Sequence, residues 1–155
     1  MDWILRLSGE QINRLDLQPA HAVVEQILRD PAAAVQQVRC QIEFPRSPDD
    51  PREWPEIPEV RLWFIRCDSC YPWLVYFLNW RAGELARYAA MLVPHQFTVK
   101  EGIQFHPEGL EIFLMHKIFV LIPWLRQHGL ERQEDLRHMA QLLGYDIDPA
   151  LFALV

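Results

Sequence analysis

Six glycines are scattered through the 155 residues. None falls in a G-x-G-x-x-G or Walker pattern, so the chain lacks the loop that cradles a nucleotide phosphate. Cations are also scarce: 15 Lys and Arg against 21 Asp and Glu leave a net charge of −6. That balance excludes the clustered Lys and Arg on which nucleic-acid binding depends, and it argues against unaided attachment to an anionic membrane. The charge reads as a solubility feature. Cysteine is sparse and odd in number, at three, which fits a reducing compartment better than a disulfide scaffold. No apolar run reaches the ~20 residues that a bilayer-spanning helix needs. The best candidate, 110–125, carries Glu111, His116 and Lys117 and is interrupted by Pro123, so it reads as a buried core helix and not as a membrane insertion. Met1 to Arg6 shows neither a secretory nor an organelle-transit pattern, and the expected location is the cytoplasm in which the chain is made.

What is present is apolar and aromatic. Half of the residues are hydrophobic, with 6 Trp, 8 Phe and 4 Tyr, enough for one domain over 1–155 that needs no metal or disulfide and implies no cofactor. Pro19 to Arg29 reads as a helix, with Val23, Val24, Ile27 and Leu28 as its apolar stripe. From Val38 to Phe44 the period becomes two, the mark of a half-buried strand. Residues 45–58 hold five prolines between Asp49, Asp50, Glu53 and Glu56, which predicts an exposed, acidic Pro-rich loop. Val60 to Arg66 is read as a second strand covered on both sides. A short helix is expected to open at Pro72. Leu85 to Val93 suits a helix by spacing and a central strand by its unbroken apolar end, and the strand is preferred. A long helix starts at His106-Pro107, meets Pro123 and closes at Gly129. A further helix spans Glu134 to Leu143 and ends at Gly144. The sum is an α+β single domain: a small sheet of about three to four strands packed against helices, with a buried central helix near 107–122.

Reactive side chains offer one short motif, Cys67-Asp68-Ser69-Cys70. Ahead of a helix N-terminus such a pair can be redox-active, and with two more ligands it can bind zinc or an iron–sulfur cluster. Only Cys40 with His95 or His106 could complete a metal site, and two small semi-buried residues at the end of a strand are the more ordinary outcome. Of the six histidines, His21, His128 and His138 fall on helix surfaces. His116 lies in the apolar helix as a core or boundary residue, and only His95 and His106 fall in a loop. Asp49-Asp50 and Asp146 with Asp148 read as turn and cap residues. No catalytic triad or dyad is legible, which points away from an enzyme. A concentration of interface-type residues remains: Tyr71, Trp73, Tyr76, Trp80, Arg81, Arg87 and Tyr88. Core packing is at least as good a reading for Trp73 and Trp80. The loop carrying His95, Gln96 and Phe97, with Phe105 beyond a polar turn, is a second candidate surface.

Several whole segments carry a family resemblance. The runs Glu59-Val60-Arg61-Leu62-Trp63-Phe64-Ile65-Arg66, Tyr71-Pro72-Trp73-Leu74, Gly83 through Phe97, Glu101-Gly102-Ile103-Gln104-Phe105, Leu110-Glu111-Ile112-Phe113 and Met139 through Tyr145 resemble the chlororespiratory reduction 6 family over roughly 57–152. The resemblance implies a non-catalytic assembly factor, or chaperone, for the photosynthetic NDH-1 (NAD(P)H dehydrogenase-like) complex. Its partner would be a peripheral-arm subunit, the ferredoxin-like NdhI, met in the cyanobacterial cytoplasm or, in relatives, the chloroplast stroma. It carries over no catalytic residues and assigns no role to Cys67 or Cys70, whose metal or thiol activity is the alternative.

Overall fold

The computed structural model describes residues 3–30, 38–77 and 83–155. The chain divides into two compact units, Met1–Asn79 and Trp80–Val155. The first opens with strand β1, Trp3–Ser8, followed by helices α1, Gly9–Asn13, and α2, Gln18–Arg29. Strand β2, Val38–Glu43, then pairs in parallel with β1, Trp3 facing Val38 and Ser8 facing Glu43. Parallel partners need a long crossover, and the two helices supply it. Along β1, Leu5 and Leu7 point inward while Ile4 and Arg6 point out. On β2, Val38 is buried and Cys40 and Ile42 half-buried, while the residues between them are exposed. The period-two reading of β2 therefore holds. β1 carries the same alternation and was not anticipated.

The junction from β1 to α1 is a capping box. The Gln11 backbone N–H donates to Ser8 Oγ at 3.3 Å, and the Ser8 N–H donates to Gln11 Oε1 at 2.9 Å. Next to it, a Cβ on Gly9 would lie 2.7 Å from Cδ of Pro45, so glycine lets the Pro-rich segment close over the helix start. Gly9→Ala should therefore lose about 1–3 kcal/mol, the usual scale for overpacking. Denaturant melting checks this, and adding Pro45→Ala should recover most of the loss.

Within residues 44–57 one arginine draws Asp50, Arg52 and Trp54 together. Arg46 donates to the carbonyls of Asp50 (3.1 Å) and Arg52, and lies 3.7 Å from the Asp50 carboxylate and 5.9 Å from the centre of the Trp54 ring. Arg52 grips the same carboxylate through Nε and Nη2, the shortest contact being 2.8 Å. Those hydrogen bonds, with the Arg52 backbone N–H and the charge of Arg46, hold the Asp50 carboxyl well below the usual carboxylate range.

Helix α3, Pro58–Cys70, corrects the strand expected at Val60–Arg66. Its buried residues, Val60, Trp63, Phe64 and Cys67, fall at i, i+3, i+4 and i+7, the spacing of one helical face. Leu62, which a strand would have turned inward beside Val60 and Phe64, is 54% exposed. Pro58 suits the first helical turn, where its missing N–H costs nothing. Trp63 is fully buried and donates through Nε1 to the carbonyl of Asp16 at 3.1 Å. After a turn, α4, Leu74–Phe77, ends the described part of this unit.

In the second unit, α5, Glu84–Ala90, replaces the strand preferred for 85–93. Leu85, Tyr88 and Ala89 are buried, so the helical spacing outweighs the apolar ending, which only leads into the next turn. Strands β3, His95–Thr98, and β4, Gly102–Phe105, form an antiparallel hairpin with His95 opposite Phe105. Gly102, at φ 71°, closes the three-residue turn in a conformation that side chains resist. Helix α6, Pro107–Gln127, buries Leu110, Leu114, Lys117, Ile118, Leu121, Ile122 and Leu125. One face is thus covered, but Ile112 and Phe119 are exposed, so burial all round is not found. α7, Gln133–Leu142, and α8, Leu151–Leu154, complete the unit. The α+β class stands. Among the described residues the four strands form two separate pairs instead of one small sheet.

Candidate functional site

The interface-type residues fall into separate groups. In the first unit, Tyr71 lies 6.5 Å from the His21 ring and 6.3 Å from Trp73, which meets Phe77 edge-on at 5.6 Å. Tyr71, Trp73 and Tyr76 are half-buried, while Leu74, Val75 and Phe77 are buried beneath them. Each of the three thus has an apolar body anchored in the unit and a part left to water. Burial, and then the nearby Cys70, Cys67 and Glu25, raise the Tyr71 hydroxyl above its ordinary pKa. Trp80 and Arg81 lie outside the described residues.

In the second unit His95, Gln96 and Phe97, expected in a loop, lie in strand β3, and all four residues of that strand are exposed. Phe97 is 63% exposed, and Val99 at the hairpin tip is 98% exposed. The α5 side of the hairpin is β4, whose Phe105 packs against a cluster of Ala89, Val93 and Leu110. β3 therefore presents its side chains to solvent on a stand fixed through β4. His95 Nδ1–H donates to the carbonyl of Val93 at 3.0 Å, and its ring lies 6.2 Å from Phe105. The paired Thr98 and Glu101 stiffen the turn, with the Glu101 N–H donating to Thr98 Oγ1 at 3.1 Å. Arg87 is exposed on α5, while Tyr88 is buried and packs 6.1 Å from Phe113. Tyr88 therefore belongs to the core. Val99, the most exposed apolar side chain among the described residues, was missed by sequence reasoning; its signal was a β-branched residue beside Phe97 in an otherwise polar turn.

The reactive residues are dispersed. Cys67 is buried, Cys70 is exposed and Cys40 is intermediate, and none is in a disulfide. Cys67-Asp68-Ser69-Cys70 forms the last turn of α3, at the opposite end of a helix from the one expected. His106 is the N-cap of α6, its Nδ1 accepting from the Gly109 N–H at 3.4 Å. His116 is exposed, not a core residue, and His21 pairs with Glu25 at 3.4 Å. Among the described residues, no group of three or more His, Cys, Asp or Glu is placed to hold a metal ion. A concavity of about 620 Å³ at the start of α7 is lined by Arg126, Arg132, Glu131, Glu134 and Asp135. Arg132 there is paired with Asp135 at 2.8 Å. Among the described residues no helix is long and apolar enough to cross a membrane.

A family model described as chlororespiratory reduction 6 matches residues 7–154. The chain belongs to the chlororespiratory reduction 6 family. That match takes in both units and extends the resemblance seen from 57 onward to nearly the whole chain. The chlororespiratory reduction 6 family is linked to the NDH complex and associated with assembly rather than with catalysis. No solved structure matches the chain.

Proposed function

We propose that this member of the chlororespiratory reduction 6 family is a non-catalytic assembly factor. It binds a peripheral-arm subunit of the photosynthetic NDH-1 complex, the ferredoxin-like NdhI, and releases it once the arm is complete. The setting is the cyanobacterial cytoplasm, or the stroma in chloroplast relatives. The observation that carries the reading is the hairpin: β3 is exposed at every position, with Phe97 and Val99 uncovered, on a base held through Phe105. An edge strand offers unpaired backbone donors and acceptors to an extended segment of a partner, and adjacent apolar side chains add the anchor. His95, Gln96 and Arg87 supply the polar rim. Tyr71 and Trp73 form a second contact face, belonging to the first unit.

Phe97→Asp should weaken capture of the partner by about 2 kcal/mol, roughly 30-fold, on the scale of a single anchor residue. Its melting midpoint should stay close to wild type, because an exposed position contributes within about 0.5 kcal/mol to folding. Pull-down of tagged protein from a cyanobacterial lysate, with NDH-1 arm subunits quantified, measures the first quantity. Normal capture by Phe97→Asp would move the contact to the Trp73 face, where Trp73→Ala is the matching variant. Failure of the wild-type protein to retrieve any arm subunit would remove the reading.

A further inference from the structure

Cys67 and Cys70 are the reactive pair that the docking reading leaves unused. They stand three residues apart in the final turn of α3. Helical geometry sets their Cα atoms about 5 Å apart, inside the roughly 4.4–6.8 Å range that a disulfide spans. Their Cβ atoms, about 5.5 Å apart on a regular helix, must close to about 4 Å, so the bond requires the turn to tighten. This turn can do so. The Cys67 carbonyl accepts from the Tyr71 N–H at 2.7 Å, and Tyr71 already leaves the helix at φ −135°. Beyond it, the last carbonyls of any helix lack partners in the next turn. The two thiols also differ in access, since Cys70 is exposed and Cys67 is 5% exposed.

We propose that Cys67 and Cys70 form a reversible dithiol–disulfide couple, with Cys70 as the thiol that meets an external disulfide and Cys67 as the thiol that resolves it. The oxidant is a low-molecular-weight or protein disulfide, represented by oxidised glutathione. The Cys70 thiolate attacks one glutathione sulfur, a Cys70–glutathione bond forms and one glutathione thiolate leaves. The Cys67 thiolate then attacks Sγ of Cys70, the Cys67–Cys70 bond forms and the second glutathione leaves. Two protein thiols are oxidised, one disulfide is reduced to two thiols, and the two protein protons end on the glutathiones. The second step is intramolecular, so burial of Cys67 does not impede it. An accessible thiol next to a resolving cysteine is the arrangement of redox-sensing sites. The expected consequence is local: closing the turn shifts Tyr71, which packs on His21 and Trp73. The raised Tyr71 hydroxyl, influenced by both thiols, agrees with that proximity.

The test treats the full chain with oxidised glutathione, counts thiols by maleimide labelling after denaturation, and maps disulfides by mass spectrometry. Wild type should fall from three thiols to one, without retained glutathione and with the bond mapped to Cys67–Cys70. Cys40→Ser should go to none. Cys67→Ala should retain one glutathione on Cys70, and Cys70→Ser should leave Cys67 labelled in full. A stable glutathione on Cys70 of wild type, with Cys67 still available to maleimide, would overturn the proposal. So would a bond mapped to Cys40. The wild-type outcome needs no variant to fold.

Discussion

Trp63→Ala should unfold the first unit at a much lower denaturant concentration than wild type, with a loss of about 3–5 kcal/mol from the vacated volume alone. Trp63 is fully buried and meets Phe64 edge-on at 5.2 Å. The substitution also removes the donor to the Asp16 carbonyl, worth about 1 kcal/mol more. That carbonyl belongs to a turn under strain. Leu15 sits at φ 53°, a conformation L-residues avoid, and the Asp16 carboxylate accepts from the Gln18 N–H at 2.9 Å where α2 begins. The indole thus ties α3 to the turn that separates α1 from α2. Trp63→Phe keeps most of the ring and loses only the N–H, so its cost should be about 1–2 kcal/mol. Urea melting followed by far-UV circular dichroism checks both. A Trp63→Ala midpoint equal to wild type would mean that Trp63 does not secure this turn.

Much of this fold was legible where one periodicity had no rival. α2, β2 and α7 follow the spacings of their sequences, and β2 alternates as expected through Val38, Cys40 and Ile42. The misreadings came where two periods overlap. In Val60–Arg66, alternate residues 60, 62 and 64 are apolar, and so are residues 60, 63, 64 and 67; over seven residues the first pattern is complete and the second is not. Only by extending the window to Cys67 does the helical face outweigh the strand. The same short window misled the reading of 85–93, where the apolar run before Pro94 conceals a helix ending at Ala90. β1 was passed over because Ile4, an exposed apolar residue, blurs its alternation.

The candidate site was legible as composition and only partly as geometry. Aromatic and arginine residues marked the right segments, but composition does not tell a surface ring from a core ring. Tyr88 and Phe97 illustrate the difference: the first is buried against Phe113, the second exposed on an edge strand. His106 looked like a loop ligand because a helix N-cap, read along the sequence, is a polar residue before a proline. The hairpin itself escaped notice since a four-residue strand with every side chain exposed has no buried face to impose a period.

Lys117→Glu should destabilise the second unit by about 4 kcal/mol or more. Lys117 is 1% exposed within the apolar face of α6, and its Nζ lies 5.4 Å from the centre of the Phe113 ring and 5.9 Å from that of Tyr88. Aromatic faces carry the negative end of the ring quadrupole, so they attract an ammonium and repel a carboxylate. A lysine also has three donors and no acceptor. Any polar group facing Nζ is therefore an acceptor, and a carboxylate placed there meets like with like. Lys117→Met separates charge from volume. It keeps the apolar stem, loses the cation and its donors, and should cost about 1–2 kcal/mol. The distance between the two variants, at least about 2 kcal/mol, is the part that belongs to the sign of the charge. It should narrow as the pH falls, because a buried carboxyl has a raised pKa and becomes neutral in mild acid. Denaturant melts of both variants at neutral pH and near pH 5 (about one unit above a free Glu) measure it. If Lys117→Glu proves no worse than Lys117→Met at neutral pH, the aromatic pair around Lys117 makes no use of its charge. The place of Lys117 in this apolar face would then be a matter of volume.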